Sequence, residues 1–146
     1  MANRVGLYVN QIEKLPIKPK SLDQWMWASD IKDFMQIIEN FFKETQELPE
    51  IISICHDLTD EHISLELRRP ENRRIEYDMF KADTGLHCAK FLAEFANEHN
   101  LYLNRVCTHG YNSTGNSNIA RLINEYYKWK GDTGKSCYNQ TWEYEK

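Results

Sequence analysis

The spacing of apolar residues changes along this chain, and that change limits its fold more than any other feature. In DIKDFMQIIENFFKE, Ile31, Phe34, Met35, Ile38, Phe41 and Phe42 recur every three or four residues, which predicts a helix with one apolar stripe that Pro49 stops. After Gly85 the same spacing returns at Leu86, Ala89, Leu92, Ala93 and Ala96 and predicts a helix to about His99, with Asn100 as its stop. It returns again at Ile119, Leu122, Ile123 and Tyr126, with Ser117 as cap and Gly131 as end. Between the first two stripes lie three strand-like runs, EIISICHDL at 50–58, HISLELR at 62–68 and RIEYDMF at 74–80. Within 63–67, Ile63, Leu65 and Leu67 alternate with Ser64 and Glu66, the period of a half-buried antiparallel strand.

RVGLYVN at 4–10, LYLNRVC at 101–107 and residues 136–144 read as further strands. The two prolines of KLPIKPK predict an extended link, and SLDQWMWA at 21–28 is compatible with a short helix. A strand, one or two helices, a three-strand meander, then helix, strand, helix, strand makes an α/β (α+β) fold. The expected architecture is a mixed, mostly antiparallel sheet of about six strands with helices on both faces.

At 146 residues, 41% hydrophobic and 27% charged, the chain reads as a single domain over 1–146 with one core. A net charge of -4 opposes general nucleic-acid binding. No apolar run approaches the roughly 20 residues needed to span a bilayer, and Met1 to Asn10 lacks a leader pattern, so a cytoplasmic protein without membrane partners is expected. Cys55, Cys88, Cys107 and Cys137 are widely spaced and read as reduced thiols. Cys55 and His56 with Cys107 and His109 could be drawn as a zinc set, but without close-set ligand pairs. Cys107 and His109 also read as a thiol–imidazole pair, against the commoner core cysteine followed by a loop histidine.

Two further patterns carry a resemblance. Lys81-Ala82-Asp83-Thr84-Gly85-Leu86-His87 opens the second helix, and NIARLINEYYKWKG holds Asn118, Ala120, and Tyr127 four residues before Gly131. With the order of elements, these resemble the GNAT N-acetyltransferase family. The resemblance implies transfer of an acetyl group from acetyl-CoA to an amine on a small-molecule or protein acceptor. It places the cofactor along Phe80, Lys81, Ala82 and Thr84, with the Gly85, Leu86 and His87 amides on its pyrophosphate and Asn118 nearby. It makes Glu76 or Asp78 the base and Tyr127 the acid, and sets Trp25 and Trp27 near the acceptor.

Each of these residues also has an ordinary reading: Thr84 or Asp83 as a helix cap, Glu76 and Asp78 as solvated charges, and Tyr127 as aromatic packing. The alternative function is a non-catalytic GNAT-like module, an inhibitor or regulator that binds a nucleotide-like ligand or a partner protein. A homodimer is compatible with either. Arg68, Arg69, Arg73 and Arg74 flank the Pro70 turn as a local basic patch, read either as an anion or acidic-partner site or as solubilising charge. GDTGKS at 131–136 lacks the spacing of a phosphate loop.

Overall fold

A computed structural model describes residues 4–146; Met1 to Asn3, and with them part of the reading of the chain's start, lie outside the described residues. Four strands form one sheet: β1 (Val5–Val9), β2 (Gln24–Ala28), β3 (Ile51–Cys55) and β4 (Arg105–His109), in the order β2-β1-β3-β4. All pairings are parallel, with Leu7 opposite Met26 and Ile52, and Ser53 opposite Cys107. The expected mixed, mostly antiparallel sheet is thus corrected to a four-stranded parallel one, and the GNAT-like frame goes with it. The physical reason is visible in the strands themselves. All five residues of VGLYV are buried, as are four of IISIC, and strands covered on both faces read as continuous apolar runs.

The meander fails because two of its three runs are not strands. Residues 60–68 form α2 (Asp60–Arg68), where the Thr59 hydroxyl accepts from the His62 amide at 3.2 Å, Asp60 and Glu61 fill the first turn and Arg68 the last. Ile63 and Leu67, expected on a buried strand face, are 41% and 82% exposed on this helix. Residues 74–80 are irregular and end in one 3-10 turn, Tyr77–Met79. Conversely, 24–28 is a strand and not a helix. The C-terminal run touches the sheet through an isolated Thr108–Asn139 bridge, with Thr108 N–H donating to Tyr138 O and Gln140 N–H to Thr108 O.

Three helices, α1 (Ile31–Thr45), α3 (Gly85–Glu98) and α4 (Ser113–Trp129), pack as one layer on one face of the sheet. Phe34, Ile38, Leu92, Ile119 and Ile123 join Leu7, Ile52, Ile54 and Val106 there in a single apolar cluster. Among the described residues no helix covers the opposite face. Parallel strands need a crossover of a dozen or more residues, and from β1 to β2 that crossover is the extended link 10–23. Leu22, at its end, packs with Ile51, Cys107, Trp25 and Trp142. Residues 137–144 lie beside it, and the Ile17 amide donates to Glu143 O at 2.7 Å, so two extended straps close this face. No helix among the described residues is long and apolar enough to cross a membrane.

Candidate ligand-binding cleft

In an open parallel sheet, ligands sit outside the carboxyl ends of the strands, where neighbouring connections leave in opposite directions. Here β1 leads leftward to β2 while β3 leads rightward to β4, and at those ends lies a cleft of about 820 Å³. Tyr8, Asn10, Cys55, Asp57, His109 and Asn112 line its floor; Lys14, Tyr111 and Tyr144 stand at its rim.

Two imidazole networks meet there. The first begins at His56, which is fully buried directly after β3. Its Nδ1 lies 2.7 Å from Asp57 Oδ1 and its Nε2 2.8 Å from the Tyr77 hydroxyl, which accepts from Asn118 Nδ2 at 2.9 Å. We assign the His56 proton to Nδ1, donating to Asp57, and the Tyr77 proton to Nε2. Burial pushes the Tyr77 phenol up, which keeps it a donor. Burial also pushes the Asp57 carboxyl up, but hydrogen bonds from His56 and Asn112 and the potential of His56 and His62 outweigh it, and the net shift is downward.

Asn112 joins this network to the helix layer. Its Nδ2 donates to Asp57 at 2.9 Å while its Oδ1 accepts from the Gly115 amide at 2.8 Å, capping α4. Gly115 is required at that point, because a Cβ there would stand 2.3 Å from the His56 ring. Gly85 makes a similar approach, since its Cβ would lie 2.2 Å from Cys55 O.

The second network lies on the strap-covered face. Trp142 Nε1, which can only donate, reaches Ser53 Oγ at 2.8 Å, and Ser53 Oγ lies 2.7 Å from His109 Nδ1. Ser53 accepts from the indole and keeps its own proton free for Nδ1; because Nε2 faces the acceptor Asn10 Oδ1 at 3.4 Å, we assign the His109 proton to Nε2, and the Ser53 hydroxyl donates to Nδ1. Tyr8 stacks on the imidazole at 4.3 Å between centroids and hydrogen-bonds Tyr144 through its hydroxyl. Burial lowers His109 to about 3, so it stays neutral at ordinary pH. Burial likewise pushes the Cys55 thiol up to about 11, which leaves it protonated and a poor nucleophile.

The residues singled out from sequence do not gather into one site. Tyr127 is 2% exposed; its hydroxyl donates to Asn104 O at 2.7 Å and accepts from Val106 N–H at 3.2 Å. Glu76 and Asp78 are exposed on the irregular 74–80 segment. The Phe80 ring rests against His62 and Tyr77, the Lys81 amide donates to Glu61, and Ala82 O lies 2.9 Å from His62 Nε2. Thr84 caps α3 in a reciprocal box with His87, whose Nδ1 accepts from the Thr84 amide at 2.9 Å. The Gly85 amide donates to His56 O, the Leu86 amide to Thr84 Oγ1 and the His87 amide to Thr84 O. The tip that was expected to hold acetyl-CoA thus directs its amides into the protein. Asn118 lies on the Tyr77 network, Trp25 packs under the straps, and Trp27 Nε1 donates to Asn10 O at 3.0 Å. Asp57, Asn112 and Ser53 were not singled out from the sequence; His56 entered only with Cys55, Cys107 and His109 as a drawable zinc set, and His109 also as the partner of Cys107.

All four cysteines are unpaired, and no group of three His, Cys, Asp or Glu among the described residues could hold a metal ion. No curated protein and no solved structure matches the chain. One family model, described as Cyclic-phosphate processing Receiver domain, matches residues 6–125. That match overturns the acetyl-transfer reading and its acetyl-CoA cofactor, and the amine acceptor goes with them. Its span takes in β1 through most of α4, including the His56, Asp57, His109 and Asn112 constellation. The chain belongs to the cyclic-phosphate processing receiver domain family.

Proposed function

We propose that the cleft recognises a cyclic phosphate ester and that the domain acts as a sensing module. The observation that carries this reading is the placement of His109. Its neutral imidazole, held by Ser53 and stacked on Tyr8, carries an Nε2 donor whose only partner among the described residues is the cleft-lining Asn10 Oδ1 at a long 3.4 Å, a contact that a ligand oxygen can replace. Lys14 at the rim and the N-terminus of α4 beside Asn112 add the positive potential that a monoanionic diester requires. The volume suits a small organic phosphate.

The same geometry favours recognition over turnover. Ring opening requires a proton for the departing oxygen, and a neutral imidazole N–H is too weak an acid to give one. His56 has both ring nitrogens engaged, and Asp57 is held by His56 and Asn112. The word receiver in the family's description accords with a regulatory role. Partner proteins, a homodimer, a cytoplasmic setting and a single domain over 1–146 all suit a module of this kind.

A thermal-shift titration with adenosine 2′,3′-cyclic phosphate tests the reading. A ligand that binds only the folded state stabilises it by about 2.7 kcal/mol at 100 times its dissociation constant. The expected result is a saturable shift, none with acetyl-CoA, and an intact cyclic phosphate in the 31P spectrum after incubation. No shift at millimolar probe would remove the cyclic-phosphate reading, and enzyme-dependent ring opening would replace recognition by catalysis.

A further inference from the structure

The four arginines around Pro70 do different things. Arg69 makes paired bonds to Glu66 at 2.8 Å each, donates to Thr114 Oγ1 at 3.0 Å and reaches the carbonyl of Arg73. Its charge is committed to fixing the turn against α2 and α4. Arg68 bonds only to the Ser64 hydroxyl, at 2.9 Å, while Arg73 and Arg74 are exposed; none of the three has a carboxylate within ion-pair distance among the described residues.

These three cations stand around a small cavity of about 210 Å³ whose walls are Leu65, Ile75, Met79 and Phe80. Met79 is 61% exposed at its mouth, and an unbranched thioether there adapts to the shape of an inserted group. Among the described residues the rim carries one unpaired carboxylate, Glu76, so cations exceed anions locally on a chain whose net charge is -4. That reversal of sign selects against basic partners. Only Glu66 is shared with the strand-end cleft, which lies on the other side of α2.

We propose that this cavity is a docking site for an acidic peptide segment that carries one large apolar side chain. The cavity takes the side chain as an anchor, and Arg68, Arg73 and Arg74 pair with flanking Asp and Glu carboxylates, the mode in which arginine clusters read acidic motifs. The partner is a protein segment of that chemistry, and the interaction is separate from ligand recognition in the cleft.

Fluorescence anisotropy with a short labelled peptide of Asp and Glu around a single Phe tests the site. The expected result is saturable binding that weakens with added salt, and that falls about tenfold or more for the Arg73→Glu/Arg74→Glu protein and for a Phe→Ala peptide. Met79→Ala, which shortens the apolar wall and leaves the charge of the rim unchanged, should also weaken binding. Both variants should keep the wild-type circular dichroism and the thermal shift with the cyclic nucleotide, so failure here is distinct from failure of the cleft. The proposal is overturned by absence of saturable binding, by equal binding to the charge-reversed protein, by equal binding of the Phe→Ala peptide, or by binding to anionic lipid vesicles in place of the peptide.

Discussion

The two faces of the sheet are closed by different means. One is sealed by α1, α3 and α4 over Leu7, Ile52, Ile54 and Val106, a layer of interlocking aliphatic and aromatic side chains. The other is closed by two extended straps over Tyr8, Ser53, Cys107 and His109, where an indole, a hydroxyl and an imidazole form a hydrogen-bonded chain. Helices bury apolar area efficiently and hold the strands in place; straps leave polar side chains with defined partners and one open edge. On the proposed reading the fold divides its tasks, with stability resting on the helical layer and the proposed ligand recognition on the strapped one.

The sharpest way to break that division is Leu92→Ala. Leu92 is fully buried under the helices, so its truncation should cost about 2–5 kcal/mol in thermal or urea unfolding, while ligand affinity measured below the transition stays the same. An affinity change as large as the stability change would show that the faces are not separate.

Acid should act next most strongly, and from the strapped face. The unfolded chain protonates histidine near pH 6.5, whereas folded His109 resists protonation down to about 3. Between those values the unfolded state binds more protons, so stability is full above the unfolded value and falls as pH is lowered, by about 3 kcal/mol at pH 4 from this group alone. His109→Gln should flatten that part of the pH–stability curve; an unchanged slope would place the titration elsewhere. Asp57 adds a separate loss at lower pH. Its carboxyl is held below the unfolded value, so its contribution is present above that value and disappears as pH falls through the folded one.

Gly115→Ala probes the seam between the faces. Its Cβ would meet a His56 ring tied at both nitrogens, so an overpacking cost of about 1–3 kcal/mol is expected together with weaker ligand binding, because Asn112 moves with the helix start. Normal affinity in this variant would detach Asn112 from the cleft. Trp142→Phe should cost least, about 1 kcal/mol for one hydrogen bond, but should weaken ligand binding by removing the donor that holds the Ser53 hydroxyl in place against His109.

The helical layer was readable from spacing, except that α4 begins at Ser113 behind an Asn112 cap, about one turn before the Ser117 start expected. Leu86, Ala89 and Leu92, and Ile119, Ile123 and Tyr126, point into the core as their three- and four-residue intervals require. The sheet was not, because Ile63, Leu65 and Leu67 satisfy a two-residue period as well as two turns of a helix, and only the Thr59 cap with Asp60 and Glu61 behind it distinguishes them. Once 62–68 was read as a strand, a meander replaced the crossover and antiparallel pairing followed. The site was hidden for a related reason. His56 and Asp57 acquire meaning only at the carboxyl end of a parallel strand, and Ser53 and Trp142, 89 positions apart, meet only because the final strap crosses the sheet. A locally visible signal did exist: His56-Asp57 directly follows the apolar run IISIC, and His109 ends the run before a capped helix.

The most direct test of the strapped face as the ligand-binding face is a long-range 1H–15N spectrum of the imidazole nitrogens, recorded while the cyclic nucleotide is added. The account predicts a neutral His109 with its proton on Nε2 from neutral to mildly acidic pH, and ligand-induced shifts concentrated at His109 and the Trp142 indole N–H. A proton on Nδ1, a charged His109 in that range, or shifts confined to the helical layer would contradict it.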